Sequence, residues 1–245
     1  MDFNSNNCTW NVIDSIGVLT INDLPENRIL RPEFVSVDQL KEWTGDTTLR
    51  GIVITGAGRH FSSGADLDGL REMAKEPYRL ASEMQRGNEL LNFIGNIPLP
   101  VVAAISGICF GAGLEIALSC HIRICSENSV FAFPESGLGI IPGLGGSMRL
   151  LKASDIETCM QMLLAGELFD AAMAKKAGIV HQVISEKQVK AFSIEYLKRL
   201  VADRPSEVIR AVVTAINNAC FLPVDEALKR ETAMFCDLAV KRFNS

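Results

Sequence analysis

Several features that would assign this chain to a special environment are missing. No apolar run approaches the ~18–20 residues that a membrane span requires, and the stretch from Met1 to Trp10 is polar, without the basic-then-apolar order of a secretory signal. A soluble, cytoplasmic protein is therefore expected. No block of like charge is long enough to form a tail, and the net charge of −5 with a pI near 5.3 argues against a nucleic-acid partner, whose electrostatic footprint should be basic. The seven cysteines (Cys8, Cys109, Cys120, Cys125, Cys159, Cys220 and Cys236) are odd in number and form no C-x-x-C pair. They read as reduced thiols, mostly buried, so neither a disulfide framework nor a metal site is expected. Three histidines, His60, His121 and His181, are too dispersed for a triad or a metal cluster and read as structural, although His60 adjoins a turn where it could face a ligand.

Familiar catalytic and nucleotide motifs are absent too. The run Gly143-Leu144-Gly145-Gly146-Ser147-Met148 lacks the last glycine of G-x-G-x-x-G, and no phosphate-cradling G-x-x-x-x-G-K-[ST] occurs. A G-x-S-x-G elbow is missing because Ala104 stands two residues before Ser106 and Arg149 two residues after Ser147.

What remains is an ordinary globular composition, 48% hydrophobic and 22% charged over 245 residues, enough for one large domain. Strand-like runs at Trp10 to Ile13, Gly17 to Asn22, Gly51 to Thr55, Val101 to Ser106, Ile122 to Cys125 and Val130 to Phe133 alternate with helical stretches, notably Leu67 to Ile94 and the run after Gly113. This interleaving predicts an α/β domain with crossover connections. From Ser154 onward the pattern is helical, at Glu157 to Leu164, Asp170 to Ala177, Glu186 to Val201, Pro205 to Cys220 and Val224 to Phe243. We divide the chain into an α/β core at 1–150 and a helical region at 151–245, with no linker between them.

Three segments could carry chemistry. In the first, HFSSGADLD, the small residues Ser62, Ser63, Gly64 and Ala65 lead through Asp66 into a helix near Leu67, so backbone could approach a ligand closely and free N–H groups could donate to it. A tight turn capped by Asp66 explains the same residues equally well. In the second, GICFGAGLEIALS, Gly111-Ala112-Gly113 open another helix, with the positive end of its dipole behind the free donors. Two such turns can hold one oxyanion between them. Glu115 follows within this helix among Leu114, Ile116, Ala117 and Leu118, a costly place for a carboxylate unless it is bonded, protonated or used. The competing reading is an exposed helix-face glutamate. In the third, FAFPESGLGIIPGLGG, Glu135 follows Pro134 at a strand end and precedes a glycine-rich loop, where a surface or capping role competes with a catalytic one.

Together these blocks, GIVITGAGRHFSSGADL, PVVAAISGICFGAGLEIALSC, FAFPESGLGIIPGLGGSMRL and the later AMAKKAGIVHQV, resemble the crotonase (enoyl-CoA hydratase/isomerase) superfamily from about residue 10 to about 238. The resemblance implies a crotonase fold with a repeated ββα-type core and a helical C-terminal trimerisation region, assembled as a homotrimer or a dimer of trimers. It implies an oxyanion hole from the N–H groups of Ala65 and Ala112, and a water-holding pair matching Glu115 and Glu135 with their twenty-residue separation. Ser63, Gly64, Asp66, Leu67, Gly111, Pro134 and Gly143 fall at substrate-binding positions. The implied reaction is syn addition of water to a 2-enoyl thioester, with coenzyme A as substrate carrier and no cofactor or metal.

Two departures bear on the carrier: Pro25 to Thr48 lacks the usual N-A-L element, and the sequence stops at Ser245 where relatives continue for another helix. They leave acyl-CoA and an acyl carrier protein both open. Alternatives are a double-bond isomerase, a specialised hydratase or decarboxylase on a carrier-bound chain, and a non-catalytic assembly subunit. Dienoyl isomerases of the family carry an acidic residue eight positions after the second glutamate, where Gly143 stands here.

Overall fold

The computed structural model describes residues 7–185 and 188–244. A hairpin opens the fold: β1 (Cys8–Ile13) and β2 (Ile16–Ile21) pair antiparallel around Asp14 and Ser15, both at positive φ, as a tight two-residue turn requires. Every later strand of the main sheet joins parallel. β3 (Gly51–Gly56), β4 (Val101–Ile105), β6 (Ile122–Ser126) and β9 (Gln182–Ile184) extend it in the order β1-β2-β3-β4-β6-β9. A smaller sheet holds β5 (Ile108–Phe110), β7 (Val130–Ala132) and β8 (Phe169–Asp170).

Side chains alternate between the faces of a strand, and here both faces are covered. Leu19, Ile21, Ile52, Ile54, Val101, Ala103 and Ile105 join the larger core, with helices α1 (Val37–Thr44), α3 (Pro77–Asn96) and α4 (Ala112–Ser119). Their neighbours Ile16, Val18, Val53, Val102 and Ala104 form a second core with Val189, Ile194 and Leu197 of α8 (Val189–Val201). Burial on both faces explains why these strands read as nearly unbroken apolar runs.

The α/β class and the helical C-terminal part are as expected, while several boundaries differ. The single helix expected over Leu67 to Ile94 is two, α2 (Leu67–Ala74) and α3, because Pro77 has no N–H to continue α2 and sits instead at the start of α3. Helix α1 lies in a segment that carried no helical expectation. The division at 150 falls inside α5 (Gly146–Ala153), and β8 and β9 return from the later region to sheets built by earlier strands. Ile179, Val180 and Ile209 share the core of Leu19, so the two regions pack as one body.

Asp155 caps α6 (Ile156–Cys159), which relaxes into a wider turn over Met160–Leu164, and Asp170 caps α7 (Ala171–Lys176). The helix expected from Glu186 is described from Val189; Glu186 and Lys187 lie outside the described residues. α9 (Ser206–Phe221) and α10 (Val224–Phe243) follow closely the spans expected for them. Among the described residues, no helix is long and apolar enough to cross a membrane.

Each histidine accepts a backbone N–H through Nδ1: His60 from Ile108, His121 from Val101 and His181 from Arg123. These bonds tie strands and turns together, in keeping with structural roles.

Every residue of α4 is buried, so this helix is held by packing on all sides rather than along one stripe. Ile116, fully buried within it, anchors the turn that carries Glu115. Ile116→Ala should lower unfolding free energy by about 2–5 kcal/mol, read from urea denaturation as a lower midpoint at an unchanged slope.

Candidate active site

The first small-residue turn is fixed by a parallel bridge between Ile29 and Ala65. Ile29 donates its N–H to the Gly64 carbonyl at 2.8 Å and accepts from the Asp66 N–H at 3.0 Å. Ala65 stands between those bonds, and no acceptor among the described residues takes its N–H. Asp66 caps α2 through Gly69 N–H at 3.0 Å and pairs with Arg28 at 2.9 Å, so the capping reading of this residue holds. Ser63 spends its N–H on the Glu26 carbonyl, and Leu67 begins α2 with its side chain 38% exposed.

The second turn lies against the first: a Cβ on Gly64 would stand 3.1 Å from the Phe110 carbonyl oxygen and 3.8 Å from the Ala112 nitrogen. Gly111 takes φ +48°, a conformation that L side chains rarely adopt, and donates to the Ala132 carbonyl at 3.0 Å. Ala112 is the first residue of α4, and the cap Gly111 has no side chain to satisfy its N–H. Two unspent backbone donors therefore sit on adjacent turns.

Glu115 is 2% exposed, so the exposed-glutamate reading fails. Its Oε1 accepts from Leu144 N–H and Gly146 N–H, both at 2.7 Å. Gly146 must stay bare, because a Cβ there would lie 2.7 Å from the Pro142 Cβ and 2.9 Å from the Phe133 ring, with that oxygen at 3.0 Å. No donor among the described residues reaches Oε2. Burial pushes the Glu115 carboxyl up to about 7, over the opposing pull of the Gly146 and Leu144 bonds; the nearby Glu135 charge adds to the rise and Arg149 counters it.

Glu135 lies in a single 3₁₀ turn, Pro134–Leu138, that follows β7. Its Oε1 stands 2.6 Å from where a Cβ on Gly111 would be, which is a second reason for glycine there. Oε2 is buried without a partner, a costly state for an ionised oxygen, and burial raises this carboxyl as well.

Ala65, Asp66, Ala112, Glu115, Glu135 and Gly143 all line one cavity of about 280 Å³. Its walls are apolar: Leu70 and Met73 from α2, Leu80 and Met84 from α3, and Ile140 and Ile141 from the glycine-rich loop. Ser63, Gly64, Leu67, Gly111 and Pro134 do not line it; Gly64 acts behind it by letting the turns approach, and Gly111 by making room for Glu135. His60 opens instead onto a separate depression beside Arg59 and Asn128. Sequence reasoning missed Leu144 and Gly146 as the donors that hold Glu115. The clustered glycines marked their loop, but not its target.

Chemically, the cavity offers two carboxyls with raised proton affinity, two free N–H donors and a dry apolar wall. This combination suits proton transfer at a carbon next to a carbonyl whose oxygen gathers negative charge. Among the described residues, no group of three His, Cys, Asp or Glu side chains is placed to hold a metal ion.

Residues 14–242 match the model of the enoyl-CoA hydratase/isomerase family. Among solved structures, the chain is similar to an enoyl-CoA hydratase from a Polaromonas species at 25% identity and TM-score 0.86, with 94% of this chain and 90% of that one covered. It is similar to an enoyl-CoA hydratase subunit I from Geobacillus kaustophilus at 28% identity and TM-score 0.84, covering 96% and 90%. A Thermobifida fusca protein solved in complex with CoA shares the fold at 22% identity and TM-score 0.85, covering 98% and 96%.

The raised Glu115 carboxyl has a consequence for stability. The folded chain holds this proton more tightly than the unfolded chain, so its stabilising effect is complete below about pH 4.5 and is lost as pH climbs to about 7. Across that window the parent protein should lose roughly 3 kcal/mol relative to Glu115→Gln, whose amide stays neutral. Thermal melts of both proteins from pH 5 to pH 8 check the sign.

Proposed function

Because the chain belongs to the enoyl-CoA hydratase/isomerase family, we propose that it adds water across the double bond of a 2-enoyl-CoA thioester. The observation that carries this reading is the convergence of Glu115, Glu135 and the Ala65 and Ala112 N–H groups on one apolar cavity. A double-bond isomerase can work with one carboxylate; two of them, each with raised proton affinity, suit the addition of water.

Glu115, ionisable near neutrality, accepts a proton as water attacks C3. Protonated Glu135 delivers a proton to C2, and its unpartnered Oε2 fits the neutral form. Two neighbouring carboxyls resist joint ionisation, so one shared proton is the natural resting state and the titration belongs to the pair. The Ala65 and Ala112 N–H groups take the thioester oxygen as it becomes an enolate. Water is the nucleophile and the carboxyls handle the protons, so the reaction as proposed needs no cofactor. The acyl chain lies along Leu70, Met73, Leu80 and Met84, where burying apolar surface contributes to binding. Coenzyme A is the carrier we favour over an acyl carrier protein, given the similarity to a protein solved with CoA.

A cytoplasmic setting agrees with seven free thiols. We assign a trimer or dimer of trimers in which other copies cover the exposed apolar residues of α9 and α10, among them Val212, Ile216, Leu228 and Phe235. Sedimentation should then give three or six times the 26.7 kDa chain mass.

The catalytic test is loss of the enoyl absorbance of crotonyl-CoA and longer 2-enoyl-CoA esters. Glu115→Gln and Glu135→Gln should each lower kcat by about 10²–10⁴-fold. If the parent protein hydrates none of these esters, the hydratase reading is wrong. Loss of activity in one variant alone would favour isomerase-type chemistry.

A further inference from the structure

Glu115 depends on the loop that brings the Leu144 and Gly146 N–H groups to one of its oxygens. Three successive carbonyls of that loop are tied from outside the cavity. Asn88 of α3 donates from Nδ2 to the Gly143 oxygen at 3.1 Å, Arg149 of α5 donates from Nε to the Leu144 oxygen at 3.3 Å, and the Arg149 N–H bonds the Gly145 oxygen at 2.9 Å. The far end of the Arg149 guanidinium donates from Nη2 to the Asn92 Oδ1 at 2.8 Å. Asn88 and Asn92 stand four residues apart on α3, which places both on the face toward the loop.

We propose that Arg149, braced by Asn92, is a positioning residue that holds the loop whose Leu144 and Gly146 N–H groups bind Glu115 and places a cation near that carboxylate. The inference rests on the reading of Glu115 as the base, and it adds residues that do not line the cavity.

Arg149 is 6% exposed and forms no ion pair within 4 Å among the described residues. Burying a guanidinium on neutral acceptors is costly, and a neutral side chain could brace a carbonyl for less. What only a cation supplies is a field on the neighbouring carboxylate. The Glu115 and Arg149 charges act on each other, and Arg149 opposes the rise that burial imposes on Glu115. The other ionisable groups around Glu115 do not replace it. Glu135 pushes the same way as burial, Asp66 on the cavity wall is paired with Arg28, the Cys120 thiol is held up to about 12, and α3 presents the neutral amides of Asn88 and Asn92. Without Arg149, Glu115 would lose that charge and the hold on the Leu144 and Gly146 donors that lower its carboxyl, so its proton affinity would rise further.

The test follows the Glu115 carboxyl directly, by ¹³C NMR titration of protein labelled at glutamate Cδ, with Glu115→Gln identifying the signal. Crotonyl-CoA hydration is measured across the same pH range. In Arg149→Met the Glu115 midpoint should rise above that of the parent protein, and the acidic limb of kcat should move with it. Near neutral pH kcat should fall on the order of 10²-fold with KM changed far less. Arg149→Lys keeps the charge and loses the planar fork, so it should restore the midpoint while leaving kcat low.

An unchanged Glu115 midpoint in folded Arg149→Met overturns the proposal. Should that variant fail to fold, Asn92→Ala carries the test: its midpoint should rise in the same direction by a smaller amount, and an unmoved midpoint counts against the proposal. A midpoint that rises in Arg149→Met while the parent protein hydrates no enoyl-CoA supports the positioning role and sinks only the hydratase reading.

Discussion

Two backbone N–H groups, from Leu144 and Gly146, close on one oxygen of a carboxylate buried inside a largely apolar helix. That interaction makes the centre of the molecule tenable. A carboxylate with 2% exposure would otherwise carry an uncompensated desolvation cost, and Ser119, the other polar side chain of the helix, donates to the Ile116 carbonyl instead. Both bonds favour the ionised form while burial disfavours it, and the outcome near neutrality is a carboxyl that can give or take a proton.

The fold is arranged to deliver those two N–H groups and two others to the same place. β3 and β4 lie side by side in the parallel sheet, so the turns that follow them open at the same end. One turn carries Ala65; the other, reached through β5, carries Ala112. Gly64 lets the two backbones approach within contact distance, and Gly111 leaves room for the Glu135 carboxylate. Helix α3 crosses behind, with Met84 facing the cavity and Asn88 and Asn92 gripping the loop that serves Glu115. One helix thus forms part of the apolar wall and part of the scaffold for the base.

The apolar wall and the paired carboxyls reinforce each other. A cavity lined by Leu70, Met73, Leu80 and Met84 gives water few polar partners, and burial beside it raises the proton affinity of both glutamates. Chemistry at the carbon next to a thioester needs both effects, since the enolate oxygen is stabilised by N–H donors most strongly when bulk water is kept away.

Local chemistry in the sequence determined a good deal. Alternation of strand and helix signals established the α/β class, and the small residues around Gly64 and Gly111 marked two turns of low steric demand. An acid among Leu114, Ile116 and Ala117 was conspicuous because its cost is written in its neighbours. Pro77 stood in plain view, yet the periodic pattern across it read as one helix where the structure has two. What lay beyond reach were relations between distant segments. Whether Glu115 faced solvent or the interior depended on what α3 and α5 packed against, and that Leu144 and Gly146 would donate to it depended on loop geometry held by Asn88, Asn92 and Arg149. Nothing near Arg149 in the sequence signals a link to a carboxylate 34 positions earlier. Sequence pattern records the preference of each residue for its immediate neighbours; which buried charge meets which donor is decided only when the sheet and its helices close around a shared core.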